Sequence, residues 1–75
     1  MTEHFRLDLK GLNCPMPVLK TAKALRSMAV GEVLVIEATD PMAAIDLPHF
    51  CREQGHDLLA LEKDGSVLRF TIARG

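Results

Sequence analysis

The sequence predicts a small α/β protein, an α+β two-layer sandwich in which two helices cover one face of a four-stranded mixed sheet. Short apolar segments typical of strands alternate with segments of helical periodicity, in the order βαβαββ. Each helical segment opens at a proline, Pro15 or Pro41, which the first helical turn accepts because its N–H groups have no intrahelical acceptor. Right-handed β–α–β connections would then place both helices on the same face of the sheet.

The first half of the chain predicts a strand, a helix and a second strand. Apolar and charged residues alternate over Phe5–Lys10, the period of a half-buried strand. The following helix should end near Gly31, and the next strand should contain the continuous apolar run Val33–Ile36. An apolar stripe on this helix would face the sheet: Val18, Leu19, Ala22, Leu25 and Ala29.

The second helix should start at Asp40-Pro41 and end at Gly55. Pro48 lies inside it, where it removes one hydrogen bond, so we expect a kink or a break into two short pieces. Its apolar face would consist of Ala43, Ala44, Leu47, Phe50 and Cys51.

Two further strands, Leu58–Leu61 and Val67–Ile72, should form an antiparallel hairpin across Asp64-Gly65. No third layer is available to cover the other face of the sheet. Apolar side chains of the second and third strands exposed there would form a contact surface.

Composition indicates one soluble domain over residues 1–75, with 48% hydrophobic residues, 25% charged residues, a net charge of −1 and a pI near 6.3. Such a charge argues against direct nucleic-acid binding. We expect a cytoplasmic location, because Met1–His4 do not resemble a signal peptide and no apolar stretch reaches membrane-spanning length. We also expect a monomer. A domain of this size has little room for a catalytic cleft. We therefore expect any chemistry to use an exposed group together with a partner protein.

Cys14 is the candidate reactive residue. We expect it to be the N-cap of the first helix, with Pro15 at the first helical position and Pro17 at the third. The free N–H groups of Met16 and Val18 would then lie near its sulfur, at the positive end of the helix. This environment predicts a depressed pKa and a thiolate that attacks electrophiles.

The other cysteine and the histidines favour structural interpretations. Cys51 continues the apolar face of the second helix and should be buried. A disulfide or resolving pair between Cys14 and Cys51 would need Cα atoms within about 7 Å, which sequence cannot establish. A metal site could be assembled from Cys14, His49, Cys51 and His56, but the close Cys/His pairing of zinc sites is missing. We therefore predict no metal and no cofactor.

The segment Leu12–Pro17 resembles the Cys-Pro-x-Pro signature of the TusA/SirA family of small sulfur-carrier proteins. Asp40-Pro41, Asp46–Cys51 and Gly55-His56 are also similar to that family. The resemblance implies that Cys14 carries a persulfide and passes its outer sulfur to an acceptor protein. It implies a donor such as a cysteine desulfurase or a rhodanese-type protein, and a carrier that acts with partners rather than as a stand-alone enzyme.

Residues beside the cysteine are candidates for partner recognition. Carriers that resemble the tRNA-thiolation protein often have an acidic residue at the position of Met16. This difference concerns the choice of partner, and the resemblance implies an end use in tRNA thiolation or in another route of sulfur trafficking. Lys20, Lys23 and Arg26 would guide an acidic partner or bind an anionic sulfur species.

Two other functions remain open at this stage. A non-catalytic regulatory or protein-binding module would use the uncovered sheet face or the Met16 side of the first helix, and it would not need Cys14. A thiol–disulfide oxidoreductase is less well supported, because the chain has no Cys-x-x-Cys arrangement.

Overall fold

A computed structural model describes residues 4–75, and its six elements follow the predicted order βαβαββ. They are β1 (His4–Leu9), α1 (Met16–Arg26), β2 (Val33–Ala38), α2 (Ala43–Gln54), β3 (Asp57–Asp64) and β4 (Val67–Ala73). The prediction for the N-terminal segment concerned Met1–His4, of which Met1–Glu3 lie outside the described residues.

The four strands form one mixed sheet in the order β1-β2-β4-β3. β1 and β2 are parallel, whereas β2–β4 and β3–β4 are antiparallel. Alternate residues of β2 and β4 form a single apolar core with both helices, which confirms the predicted two-layer sandwich. The fully buried side chains include Leu9, Leu25, Leu34, Ile36, Leu47, Phe70 and Ile72.

α1 begins one residue later than predicted and is rotated about its axis. Pro15, joined to Cys14 by a cis peptide bond, is the N-cap, so Cys14 precedes the cap and Pro17 occupies the second helical position. The buried face consists of Pro17, Thr21 and Leu25, at a spacing of four residues. Leu19 is 54% exposed, and Ala29 lies beyond the end of the helix. The predicted stripe was therefore wrong at these two positions. The prediction used hydrophobicity alone, and it did not include Pro17 and Thr21, which are buried.

α2 is one continuous helix, so the predicted break at Pro48 does not occur. Leu47 and Cys51 on either side of the proline are both buried in the core, and this packing stabilises the segment despite one missing hydrogen bond. The helix starts at Ala43, two residues after the predicted first position Pro41, and ends at Gly55 as expected. Gly55 has a φ of 77°, a left-handed conformation that favours glycine.

The predicted hairpin is present, but its turn lies one residue further along the chain. Asp64 pairs with Val67, which leaves Gly65 and Ser66 as the two turn residues. Gly65 has the positive φ of 60° that such turns require at their first position. β3 is also longer than the apolar run that predicted it, because charged residues at the edge of the sheet continue the pairing as far as Asp64.

The face of the sheet without helices carries charged side chains at its centre instead of the expected apolar patch of β2. Arg69 donates two hydrogen bonds to Glu37, at 2.9 and 3.2 Å, and the Lys10 ammonium lies 3.3 Å from the same carboxylate. Both cations lower the pKa of Glu37. The neighbouring Val33 and Val35 are buried, so β2 offers no exposed apolar side chain here.

Asp40 connects the two loops that lead from the sheet into the helices. Because β1 and β2 are parallel neighbours, their carboxyl ends lie at the same edge of the sheet, and both loops start there. The backbone N–H of Cys14 donates to Asp40 Oδ2 at 2.6 Å, and that of Met42 donates to Asp40 Oδ1 at 3.1 Å. One carboxylate thus orients the loop before α1 and the first turn before α2.

We expect Asp40→Ala to destabilise the protein by about 1–2 kcal/mol, the range for losing a carboxylate that satisfies free N–H groups at a helix start. The Cys14 amide should also exchange faster with deuterium, as measured by NMR. Asp57→Ala is the control, because Asp57 is an exposed acid at the start of β3. An unchanged exchange rate at Cys14 would show that Asp40 does not orient this loop.

Leu47→Ala should lower the free energy of unfolding by about 2–5 kcal/mol, because Leu47 is fully buried and its truncation leaves a cavity. Ile45→Ala in the same helix should change it by less than about 0.5 kcal/mol, because Ile45 is 64% exposed. Urea unfolding followed by circular dichroism would measure both values. Equal effects would contradict the assignment of the buried face of α2.

Candidate functional site

The candidate site lies where the N-terminal ends of α1 and α2 meet. Cys14 is exposed and directly precedes the N-cap of α1. Its thiol donates a hydrogen bond to Asp46 Oδ2 at 3.3 Å, from the first turn of α2. The sulfur stands at an open groove between the two helices, which is lined by Cys14, Pro15, Val18, Asp46, His49, Phe50, Glu53 and Gln54.

The environment of the sulfur raises the pKa of Cys14, so the predicted depressed pKa was wrong. The largest cause is the hydrogen bond to Asp46, followed by partial loss of solvation and by the negative charges of Asp46 and Asp40. The helix start also offers the sulfur less than expected. Met16 N–H donates to the Asn13 carbonyl at 2.8 Å, and Pro15 and Pro17 have no N–H to offer.

Cys51 is only 2% exposed and belongs to the core, as predicted. Burial raises the pKa of its thiol, and the nearby charge of Asp57 adds to this effect. Both cysteines are free thiols, so they do not form a disulfide with each other in this structure. Cys14 is the exposed member of the pair and therefore the accessible nucleophile.

The sequence favours structural roles for the histidines, and the contacts of His49 and His56 are defined. His49 lies 3.6 Å from Glu53 on the next turn of α2. His56 stacks at a tilt on Phe50 and accepts a hydrogen bond from the Gly75 N–H. Within residues 4–75, no group of three or more His, Cys, Asp or Glu residues has the geometry to bind a metal ion.

The residues predicted to recognise a partner are exposed on α1: Met16, Lys20, Lys23 and Arg26. Met16 is 36% exposed. Lys20, Lys23 and Arg26 do not line the groove that contains Cys14. Their predicted role, to guide an acidic partner or bind an anionic sulfur species, stays a prediction.

Sequence reasoning missed the two acids that surround the cysteine. Asp40 was interpreted as a helix cap and as part of a family resemblance, and Asp46 only as part of that resemblance; neither was placed near the cysteine. A topological signal was available, because two helices that follow parallel neighbouring strands begin at the same edge of the sheet. An acid in the first turn of α2 could therefore have been placed near Cys14.

In the part of the chain that the structure describes, no helix combines the length and the hydropathy needed to cross a membrane.

Comparison with known proteins extends over almost the whole chain. The family described as "Sulfurtransferase TusA" matches residues 5–74. The crystal structure of a SirA-like protein from Desulfitobacterium hafniense aligns with a TM-score of 0.83 and 29% sequence identity. That alignment covers 95% of this chain and 97% of the other.

Two proteins of Bacillus subtilis are similar in sequence, the "Putative sulfur carrier protein YrkF" and the "Putative sulfur carrier protein YrkI". Each is 44% identical over 69 residues, which is 92% of this chain. The match spans 92% of YrkI but only 37% of YrkF. With nearly every described residue inside the family match and the fold shared with a SirA-like protein, this chain belongs to the TusA/SirA family.

Proposed function

We propose that this protein is a sulfur carrier, which accepts a sulfane sulfur on Cys14 as a persulfide and delivers it to an acceptor protein. The observation that carries the proposal is an exposed Cys14 thiol at the open end of the groove between α1 and α2. Relatives described as sulfur carriers support the same role. The reaction requires partner proteins, because the carrier itself supplies only one reactive group.

Loading would be a displacement at sulfur. The Cys14 thiol gives its proton to solvent, and the resulting thiolate attacks the outer sulfur of a cysteine persulfide on the donor. A new S–S bond forms on Cys14 while the donor S–S bond breaks, and the donor cysteine leaves as a thiolate that takes up a proton. One sulfane sulfur moves: Cys14 is oxidised from a thiol to a persulfide while the donor cysteine is reduced from a persulfide to a thiol, so the step needs no external oxidant or reductant.

Delivery repeats the displacement with the roles exchanged. A thiolate of the acceptor attacks the outer sulfur of the Cys14 persulfide, and Cys14 departs as a thiolate that regains its proton. The acceptor then carries the persulfide, and the carrier returns to its starting state. No cofactor or metal takes part in either step.

The donor would be a cysteine desulfurase or a rhodanese-type protein, and the acceptor would belong to tRNA thiolation or another route of sulfur trafficking. We place this relay in the cytoplasm, where reducing conditions maintain exposed thiols such as Cys14. Pro15 and Pro17 would support the site by restricting the backbone φ angles at the helix start. Pro17 is also buried, so it holds this turn against the interior of the protein.

Cys14→Ser should abolish sulfur loading, because a hydroxyl does not form a stable hydropersulfide. The fold should survive, since the residue is exposed and a serine hydroxyl can also donate to Asp46. Incubation with a cysteine desulfurase and cysteine, followed by intact mass spectrometry, would detect the added sulfur.

Cys51→Ala is the matched control for this experiment. It should still gain one sulfur, because Cys51 is buried, although it should lose about 1 kcal/mol of stability. A sulfur adduct that persists in Cys14→Ser would contradict the proposal and favour a protein-binding module. Loss of loading in a folded Cys51→Ala variant would require a two-cysteine mechanism.

Met16→Glu should leave the fold nearly unchanged, because Met16 is at the surface of the first helical turn, where an acid is favourable. Partner choice should change instead. Sulfur transfer rates from loaded Cys14 to a panel of acceptor proteins would measure this, with Val30→Glu as the control at an apolar residue that is 74% exposed beyond the other end of α1. Identical rates for Met16→Glu and wild type across the panel would exclude Met16 from recognition.

A further inference from the structure

The contact between Cys14 and Asp46 has the geometry of a thiol that donates to a carboxylate. Cys14 Sγ and Asp46 Oδ2 are 3.3 Å apart, and an ionised carboxylate can only accept. Within residues 4–75, Asp46 takes part in no ion pair with a basic side chain. No basic side chain therefore competes with the Cys14 thiol for this carboxylate.

The remaining groups that line the groove at the sulfur include no lysine and no arginine. Asp40 is a second acid beside Cys14, with its carboxylate bound to the N–H groups of Cys14 and Met42. α2 contributes His49 and Glu53 further along the groove, and these two side chains lie 3.6 Å from each other. From the α1 side, the groove is lined by the N-cap Pro15 and by Val18. The basic residues of α1, which are Lys20, Lys23 and Arg26, do not line it.

We propose that Asp46 is a positioning residue, which orients the Cys14 side chain and retains its proton while the carrier is unloaded. This inference rests on the proposed carrier function and adds a control of reactivity to it. The raised pKa of Cys14, caused first by this hydrogen bond, agrees with the geometry.

The contact distinguishes the unloaded protein from the loaded one. A neutral thiol reacts slowly with oxidants and electrophiles, because the thiolate is the nucleophile. The unloaded carrier is thereby protected from unspecific modification until a donor displaces the thiol from Asp46. Once the outer sulfur is bound, Cys14 Sγ has no hydrogen to donate, so this bond to Asp46 is lost and the side chain is free to turn toward an acceptor.

The test is the pH dependence of Cys14 alkylation by iodoacetamide, followed peptide by peptide with mass spectrometry so that Cys51 is measured separately. In the wild type, the midpoint should lie above the reference cysteine value of about 8.5. Asp46→Asn should move the midpoint to lower pH, and a midpoint that is lower by about one pH unit should raise the thiolate fraction at pH 7 about tenfold and the alkylation rate by about threefold, because a less basic thiolate is also less nucleophilic. Glu53→Gln removes an equal charge from the same groove without contacting the sulfur, and its profile should match the wild type.

An unchanged or higher midpoint in folded Asp46→Asn would overturn the proposal, as would a wild-type midpoint at or below about 8.5. The wild-type measurement decides the question even if the variant does not fold, which circular dichroism would reveal. The assay uses no sulfur donor. A failure of sulfur loading, which concerns the proposed function, is therefore distinguishable from a failure of this inference.

Discussion

The site depends on the hydrogen bonds that the Asp40 carboxylate accepts, because they join two loops that come from different β–α units. The parallel pairing of β1 and β2 brings both loops to one edge of the sheet, and Asp40 then accepts N–H groups from Cys14 and Met42. The position of the sulfur is thus determined by both halves of a chain of 75 residues. A domain of this size can therefore present a defined reactive group without enclosing a catalytic cleft.

We infer that the protonation of Cys14 depends more on the Asp46 carboxylate than on the helix end. A helix N-terminus is equivalent to about half a positive charge spread over its first free N–H groups. At α1, two of the relevant residues are prolines, and Met16 N–H is bound to Asn13. The Asp46 carboxylate instead accepts a hydrogen bond from the Cys14 thiol at 3.3 Å. This contact is the largest cause that raises the pKa of Cys14, so it favours the thiol over the thiolate.

Local signals predicted the order of the elements well, because strand alternation, helix-start prolines and terminal glycines act within a few residues. They were less accurate where tertiary packing determines the buried face or the continuity of a helix. The buried face of α1 includes Thr21 and Pro17, and core contacts keep α2 continuous through Pro48. The flanking prolines and the family resemblance indicated Cys14 as the candidate residue, and its exposure agrees with that prediction, but its electrostatics could not be predicted. Asp46 is 32 residues away along the chain, and only the tertiary fold places it next to the sulfur. A motif therefore indicates a candidate cysteine and leaves its pKa undetermined.

The most direct test of the carrier function uses isotopically labelled cysteine with a cysteine desulfurase and the wild-type protein. The account predicts that one labelled sulfur appears on the peptide containing Cys14, and that dithiothreitol then releases it as sulfide while the thiol is regenerated. Label that is absent from this peptide, or that resists reduction, would contradict the assignment of Cys14 as the site of sulfur transfer.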